Sequence, residues 1–151
     1  MRYNLIVKGG KPMKIAIRYF TKSKKGNTEK IARFVSNVVG VEALDVSHPL
    51  DEEVETLLLI NAMYAADVDK QIKNFLINNE DKIKSLININ SSASGASTYK
   101  AVKKVCDKNG INISEKEFHT AASWIFINKG RPNDEDFARL EAFLKENVIN
   151  G

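Results

Sequence analysis

A chain of 151 residues is long enough to bury one substantial core and short enough to be expected to do so as a single domain. Its 43% hydrophobic and 28% charged residues are ordinary for a globular protein, and no apolar run approaches the roughly 20 residues that a spanning helix needs, so no membrane partner is expected. The net charge is +4, but the lysines are spread over helices and loops without interleaved stacking aromatics, so no nucleic-acid surface is expected either.

Residues 1–12, MRYNLIVKGGKP, read as an extension outside the fold, their apolar patch too brief for a signal-peptide core. A pairing edge strand over Tyr3–Val7 is the alternative. The domain proper then runs over 13–151. Ile15, Ala16, Ile17, Tyr19 and Phe20 form a short apolar run typical of a buried strand. Ile31, Phe34, Val35, Val38 and Val39 place apolar side chains on one helical face, and Gly40 stands where a left-handed cap would end that helix. Between strand and helix lie Thr21, Lys22, Ser23, Lys24, Lys25, Gly26, Asn27 and Thr28, without an acid. Such a turn aims backbone N–H groups and hydroxyls at one point near the positive end of the helix dipole, so its natural guest is a phosphate.

Val41–Val46 alternates weakly and reads as a second strand. In the turn that follows, Pro49 with Asp51, Glu52 and Glu53 behind it suits a helix start. Thr56–Ile60 is continuously apolar, as a central parallel strand covered on both faces should be. It empties into Asn61, Ala62, Met63, Tyr64, Ala65 and Ala66, ahead of a helix with Val68, Ile72, Phe75 and Leu76 inward. Ile83, Leu86, Ile87 and Ile89 make a fourth strand, leading to Asn90, Ser91, Ser92, Ala93, Ser94, Gly95, Ala96 and Ser97 and then to a helix with Val102, Val105 and Cys106 inward. Ile111, Ile113 and Phe118 sketch a fifth strand. Trp124 lies in the long connection that follows, and Asn133 caps a last helix with Asp134, Glu135 and Asp136 in its first turn.

Strands alternating with helices imply a parallel sheet with right-handed crossovers and helices on both faces. Ligands of such sheets bind beyond the carboxyl ends of the strands, and the loops 21–28, 61–66 and 90–99 leave those ends. All three are rich in small, hydroxyl or amide residues. Cys106, the only cysteine, can form no intrachain disulfide, which points to a cytoplasmic protein with a buried spectator thiol. Two distant histidines and one cysteine give no metal-ligand spacing.

Ser23, Gly26 and Thr28, with Ala32 and Val35 on the helix behind them, resemble the FMN-phosphate loop of flavodoxins. Thr21 stands where that family has an aromatic, and Phe20 is one residue early. The resemblance extends over most of 13–148, including Asn128–Asn133 before the last helix. It implies a flavodoxin-like doubly wound α/β fold, a five-stranded parallel sheet of order 2-1-3-4-5. The implied function is FMN-dependent electron transfer with a redox partner protein, by a monomer or weak homodimer. Carried over, Ser23, Asn27 and Thr28 would contact the phosphate, with Lys22, Lys24 or Lys25 supplying positive field. Tyr64 would wall the isoalloxazine ring on one side and Tyr99 or Trp124 on the other. Many flavodoxins carry a glycine in the second loop, where a peptide flip serves the reduced ring; 61–66 has none, and alanine is expected to resist positive φ.

Two other functions share this topology. One is an FMN-dependent reductase using NAD(P)H, although no acid, base or nucleophile constellation singles it out and His119 reads as structural. The other is a flavin-free interaction module. A phosphoreceiver would need acids where Tyr19, Phe20, Thr21 and Asn61 stand, and no Gly-Lys-Ser/Thr follows the first strand as a Walker loop requires.

Overall fold

Strand and helix alternate along the chain, as the change of hydrophobic period requires. A hairpin of β1 (Asn4–Lys8) and β2 (Lys11–Tyr19) leads through α1 (Asn27–Val39) to β3 (Ala43–Asp45). Then come β4 (Thr56–Ala62), α2 (Lys70–Asn78), β5 (Leu86–Ser92), α3 (Tyr99–Lys108), β6 (Phe118–Ala121) and α4 (Asp134–Leu144), with a π-wound turn over Lys145–Ile149. The computed structural model describes residues 4–8, 11–22 and 26–150.

The parallel strands lie side by side as β3-β2-β4-β5-β6, which is the order 2-1-3-4-5 when they are numbered among themselves. Ile17 faces Leu58 across β2–β4, Leu58 faces Ile87 across β4–β5, and Ile89 faces Phe118 across β5–β6. The central strands are covered on both faces: Leu57–Asn61 of β4 and every residue of β5 are buried. Of the residues read as an extension, Asn4–Lys8 form β1 and Lys11 and Pro12 begin β2, while 1–3, 9 and 10 lie outside the described residues. Asn4–Lys8 pairs antiparallel with Lys11–Ile15, on the edge of β2 that β3 occupies further along. The edge strand considered as the alternative is what forms, and it covers hydrogen-bonding groups of β2 that three-residue β3 is too short to reach.

Period two sorts the strand side chains onto two layers. Ala16, Leu57, Leu59 and Leu86 face α2 and α3, where Ile72, Phe75, Leu76, Val102 and Cys106 meet them. Ile15, Ile17, Leu58, Ile60, Ile87 and Ile89 face α1 and α4, against Ile31, Val35, Leu140 and Leu144. Phe34 and Phe137, with ring centroids 4.9 Å apart, close the seam between those two helices. Each such aliphatic side chain contributes roughly 1.5–3 kcal/mol by leaving water, so the two layers dominate the stability. Cys106 is fully buried and burial pushes its thiol up to about 11, which makes it a packing residue.

One local expectation fails, at the last strand. The stretch between β3 and β4 forms no helix and stays the turn expected of it. The carbonyls there are taken by two cations: the buried Arg18 donates to His48 O (2.8 Å) and Pro49 O (3.1 Å), and the half-buried Lys82 donates through Nζ to Leu50 O (3.0 Å). The last strand begins only at Phe118, and Ile113 makes a single bridge to Leu86.

Arg18 is wholly buried near the carboxyl end of β2 and also donates to Ile17 O (3.0 Å). Its planar fork fastens the β3–β4 connection beneath the sheet. Arg18→Ala leaves those carbonyls without a donor, and urea denaturation should show a loss of about 3–5 kcal/mol. Arg18→Lys should rescue little of it, because one ammonium cannot reproduce the fork. A loss below about 1 kcal/mol for Arg18→Ala would remove this anchor.

Candidate functional site

At the carboxyl edge of the sheet four loops enclose a cleft of about 500 Å³. It lies at the switch point between β2 and β4, where the chain reverses its direction of winding. Thr21, Gly26, Asn27 and Thr28 line it from the first loop, Ala62, Met63, Tyr64 and Ala65 from the second, and Ser91, Ser92 and Ala93 from the third. Ala122, Ser123 and Trp124 line it from the loop after β6. Ser23, Lys24 and Lys25 lie outside the described residues.

The first loop ends in Gly26, the N-cap of α1, which offers no side-chain acceptor to the helix's first turn. Among the described residues no acceptor meets the N–H groups of Asn27 and Thr28. The start of α1 therefore carries unsatisfied donors and the positive end of a 13-residue helix. Side-chain bonds tie the loops together. Lys22 N–H donates to the Tyr64 hydroxyl (3.2 Å), and its ammonium lies 4.4 Å from the centre of the Tyr64 ring and 3.5 Å from Asp69 Oδ2. Asn27 Nδ2 donates to Ser123 O (3.3 Å), and Asn128 Nδ2 donates to Ala93 O.

Five of the expected residues, Lys22, Asn61, Ser94, Gly95 and Tyr99, are not part of the lining. Asn61 does not face the cleft. It is 1% exposed, donates to Asn88 Oδ1 (2.8 Å) and accepts from Thr98 Oγ1 (2.6 Å). Asn88 in turn donates to Thr98 Oγ1 (3.0 Å), and Asn90 Oδ1 accepts from Thr98 N (3.1 Å). Asn61 thus fixes the ends of β4 and β5 against the start of α3. Tyr99 sits in the first turn of α3, away from the lining, and Ser94 and Gly95 lie beyond it, with the Gly95 carbonyl 2.9 Å from His119 Nδ1. Lys22 acts on the lining through Tyr64. Ala122 and Ser123 were missed because the fifth strand's carboxyl end was not counted with the other three.

Two walls of the cleft are tight turns. Tyr64 and Asp67 exchange backbone hydrogen bonds (2.7 and 3.0 Å) around Ala65 (φ 51°) and Ala66 (φ 62°). This corrects the expectation that alanine there resists positive φ: both central residues are left-handed, as a type I′ turn demands. Trp124 and Ile127 close a second two-residue turn (3.0 and 2.8 Å), in which Ile125 (φ 52°) is left-handed and Phe126 is not. The second turn holds Trp124 half-exposed against the cleft and leaves Phe126 81% exposed.

Behind that turn, Asp136 secures the loop to α4. Its carboxylate accepts from Arg131 Nε (2.9 Å) and Nη2 (2.7 Å), from Arg139 Nη2 (2.8 Å) and from the N–H of Asn133 (2.9 Å). Asn133 Oδ1 accepts from Asp136 N (2.9 Å), completing a capping box around the expected N-cap. The Arg131 bond, with the Asn133 N–H and Arg139, holds the Asp136 carboxyl well below the usual carboxylate range. Among the described residues no group of three or more His, Cys, Asp or Glu could hold a metal, and no helix is long and apolar enough to cross a membrane.

A parallel sheet of this order with a cleft at its switch point defines the flavodoxin-like class of α/β folds. No protein-family model matches the sequence, and no curated protein matches it. Solved structures do. A flavodoxin from the domain Archaea superposes with a TM-score of 0.64 at 14% identity, over 85% of this chain and 92% of that one. Flavodoxin 1 from Bacillus cereus gives 0.58 at 15% identity, over 89% and 97% of the two chains. The Trp repressor binding protein from Bacillus subtilis gives 0.59 at 12% identity, over 87% and 97%. At such identities the likeness establishes the fold.

Two measurements check these arrangements. Asp136 has a depressed folded-state pKa, so its stabilisation is complete above the unfolded value of about 4 and is lost as pH falls towards the folded one. Asp136→Asn should cost roughly 2–3 kcal/mol at neutral pH and flatten the acid limb of a stability–pH curve, whereas an unchanged acid limb would assign that limb to other carboxylates. Ala66→Gly should raise stability by about 0.5–1 kcal/mol, relief of a left-handed alanine outweighing the added chain entropy. A fall in melting temperature would mean that the alanine side chain contributes packing instead.

Proposed function

We propose that the protein binds FMN and passes electrons to and from a partner protein. One observation carries the reading: the uncapped start of α1, two aromatic walls and three small-residue loops converge on one cleft at the sheet's switch point. The donor set suits a phosphate monoester at one end, since Asn27 and Thr28 offer backbone N–H groups and Thr21, Asn27 and Thr28 offer polar side chains. The other end suits a flat, partly apolar ring. Tyr64 and Trp124 present aromatic surface, and Ala62, Ala65, Ser91 and Ala93 keep the space beside them open. Ser23, Lys24 and Lys25 belong to the phosphate end in this reading. The solved flavodoxins that share the fold support it.

FMN, when bound, supplies reversible uptake of electrons; the chain's own residues hold it, shield one side of it and set its surroundings. Lys22 stands behind Tyr64 with its ammonium over that ring, so it fixes the wall and adds positive charge near the cleft. Among the described lining residues there is no carboxylate, imidazole or thiol to move a proton, which favours electron carriage over acid–base chemistry.

The direct test adds FMN to the apoprotein and follows flavin fluorescence. Quenching and a yellow protein after gel filtration are expected; neither would overturn the reading. Steady turnover of NADH or NADPH by the holoprotein would shift it to a reductase. Asn27→Asp separates the two ends of the site. An acid in the first turn favours the helix, offsetting the lost Asn27–Ser123 bond, but repels a phosphate dianion, so FMN affinity should fall by about 10–100-fold while the melting temperature changes little. Riboflavin, which lacks the phosphate, should lose far less.

A further inference from the structure

The face of α2 and α3 that the cleft does not use carries a second concavity, of about 540 Å³. Lys100, Lys104 and Lys108 succeed one another along its α3 side at intervals of one helical turn, a row of about 12 Å. Lys73 stands across from them on α2 and is already paired, 2.7 Å from Asp67 Oδ2. Lys100, Lys104 and Lys108 make no ion pair among the described residues. The other acids near these helices are committed elsewhere, Asp107 to Lys103 and Asp69 to Lys22. Four lysines against one aspartate leave the groove at +3.

Like charges one turn apart weaken a helix, so the α3 row lowers the stability of the chain that carries it. Beneath it the floor is aliphatic: Ala101 and Val105 are half-buried, and Ile77 is 48% exposed. We propose that this groove receives an acidic amphipathic helix of a partner protein, its carboxylates opposite Lys100, Lys104 and Lys108 and its small apolar side chains on Ile77 and Val105. The spacing fits acids at i, i+4 and i+8 of a helix. An extended nucleic acid suits the groove less well, because no aromatic side chain lines it to stack on a base. A membrane surface suits it less well too, since the apolar atoms lie in a concavity below the ammonium groups instead of projecting past them.

The site goes beyond the FMN reading and does not depend on it. It does adjoin the cleft: Ala66 and Asp67, at the groove's end, belong to the same turn whose Tyr64 and Ala65 line the cleft. A partner seated there would rest on the opposite side of that turn from the flavin-sized space.

The probe is a fluorescein-labelled, lactam-stapled helical peptide with Glu at i, i+4 and i+8 and Leu on the adjoining face, beside its Glu→Gln counterpart. Anisotropy titrations with the full chain should show the Glu peptide binding at least about tenfold more tightly than the Gln peptide, with the preference shrinking as salt rises. K100E/K104E should weaken the Glu peptide at least about tenfold. K100Q/K104Q, which adds no repulsion, should weaken it to a smaller degree, and both should keep the parent's circular dichroism and FMN titration. Equal binding of the two peptides, or an affinity unchanged in both variants, overturns the proposal. So does displacement of the peptide by duplex DNA or phosphatidylserine vesicles at concentrations below those at which the peptide itself competes. A chain that fails to bind FMN but shows the peptide preference loses the cofactor reading and keeps this one.

Discussion

Polar groups buried at the end of a parallel sheet must all be bonded, and the site depends on how this chain meets that demand. β4 and β5 run out of apolar residues at Asn61, Asn88 and Asn90, which are at most 1% exposed. An orphaned amide there would cost about 1–3 kcal/mol. Thr98 resolves the problem by bonding all three, its hydroxyl with Asn61 and Asn88 and its N–H with Asn90. One residue at the head of α3 thereby sets the separation of two strands and the path of the loop that precedes it. Asn90 also donates to Ala96 O (3.0 Å), so the third loop is held at both ends. The cleft has a fixed floor because the strands beneath it cannot slide without breaking this network.

The walls obey a different logic. The two turns that flank the cleft place alanine and isoleucine at φ values of 51–62°, where side chains are disfavoured by about 1–2 kcal/mol each. Such conformations persist only where their surroundings over-determine them. Each turn does have external ties. Tyr64 is held through Lys22, and Asp67 through Lys73; the second turn is held by Asn128 on Ala93 and, behind it, by Asp136 gripping Arg131. Strain and tie occur together at both walls, which suits aromatic side chains that have to be aimed at a ligand.

What the sequence reveals follows from the range of the interactions concerned. Val- and Ile-rich runs with period two, and helices with period 3.6, report burial residue by residue, so both apolar layers and three of the four loops were legible, while the sheet order came from the resemblance to flavodoxins. The edge strand over Asn4–Lys8 was not preferred, because its pairing with β2 is the only thing that makes it a strand. Arg18 and Asn61 were misread or passed over for a shared reason. Their partners are 30 or more residues away or on another strand, and no local pattern announces a buried cation satisfied by carbonyls or an amide satisfied by Thr98. Asn27 and Tyr64 line the cleft, and the bonds that position them, to Ser123 and Lys22, span 96 and 42 residues, beyond any local pattern.

Charge distinguishes the two concavities in a way that shape does not. Among the described residues the cleft is lined by neutral side chains, and positive potential reaches it indirectly, from the α1 terminus and from Lys22 behind Tyr64. A weak field of that kind, applied to a largely neutral ligand with one charged end, orients the ligand by that end. The groove carries its charge on exposed ammonium groups that water screens within about 10 Å. Those lysines can steer a partner to the surface, and binding energy must then come from the aliphatic floor once water is displaced. The turn Tyr64–Asp67 is common to both places, so anything that changes its geometry from the groove side changes the wall of the cleft.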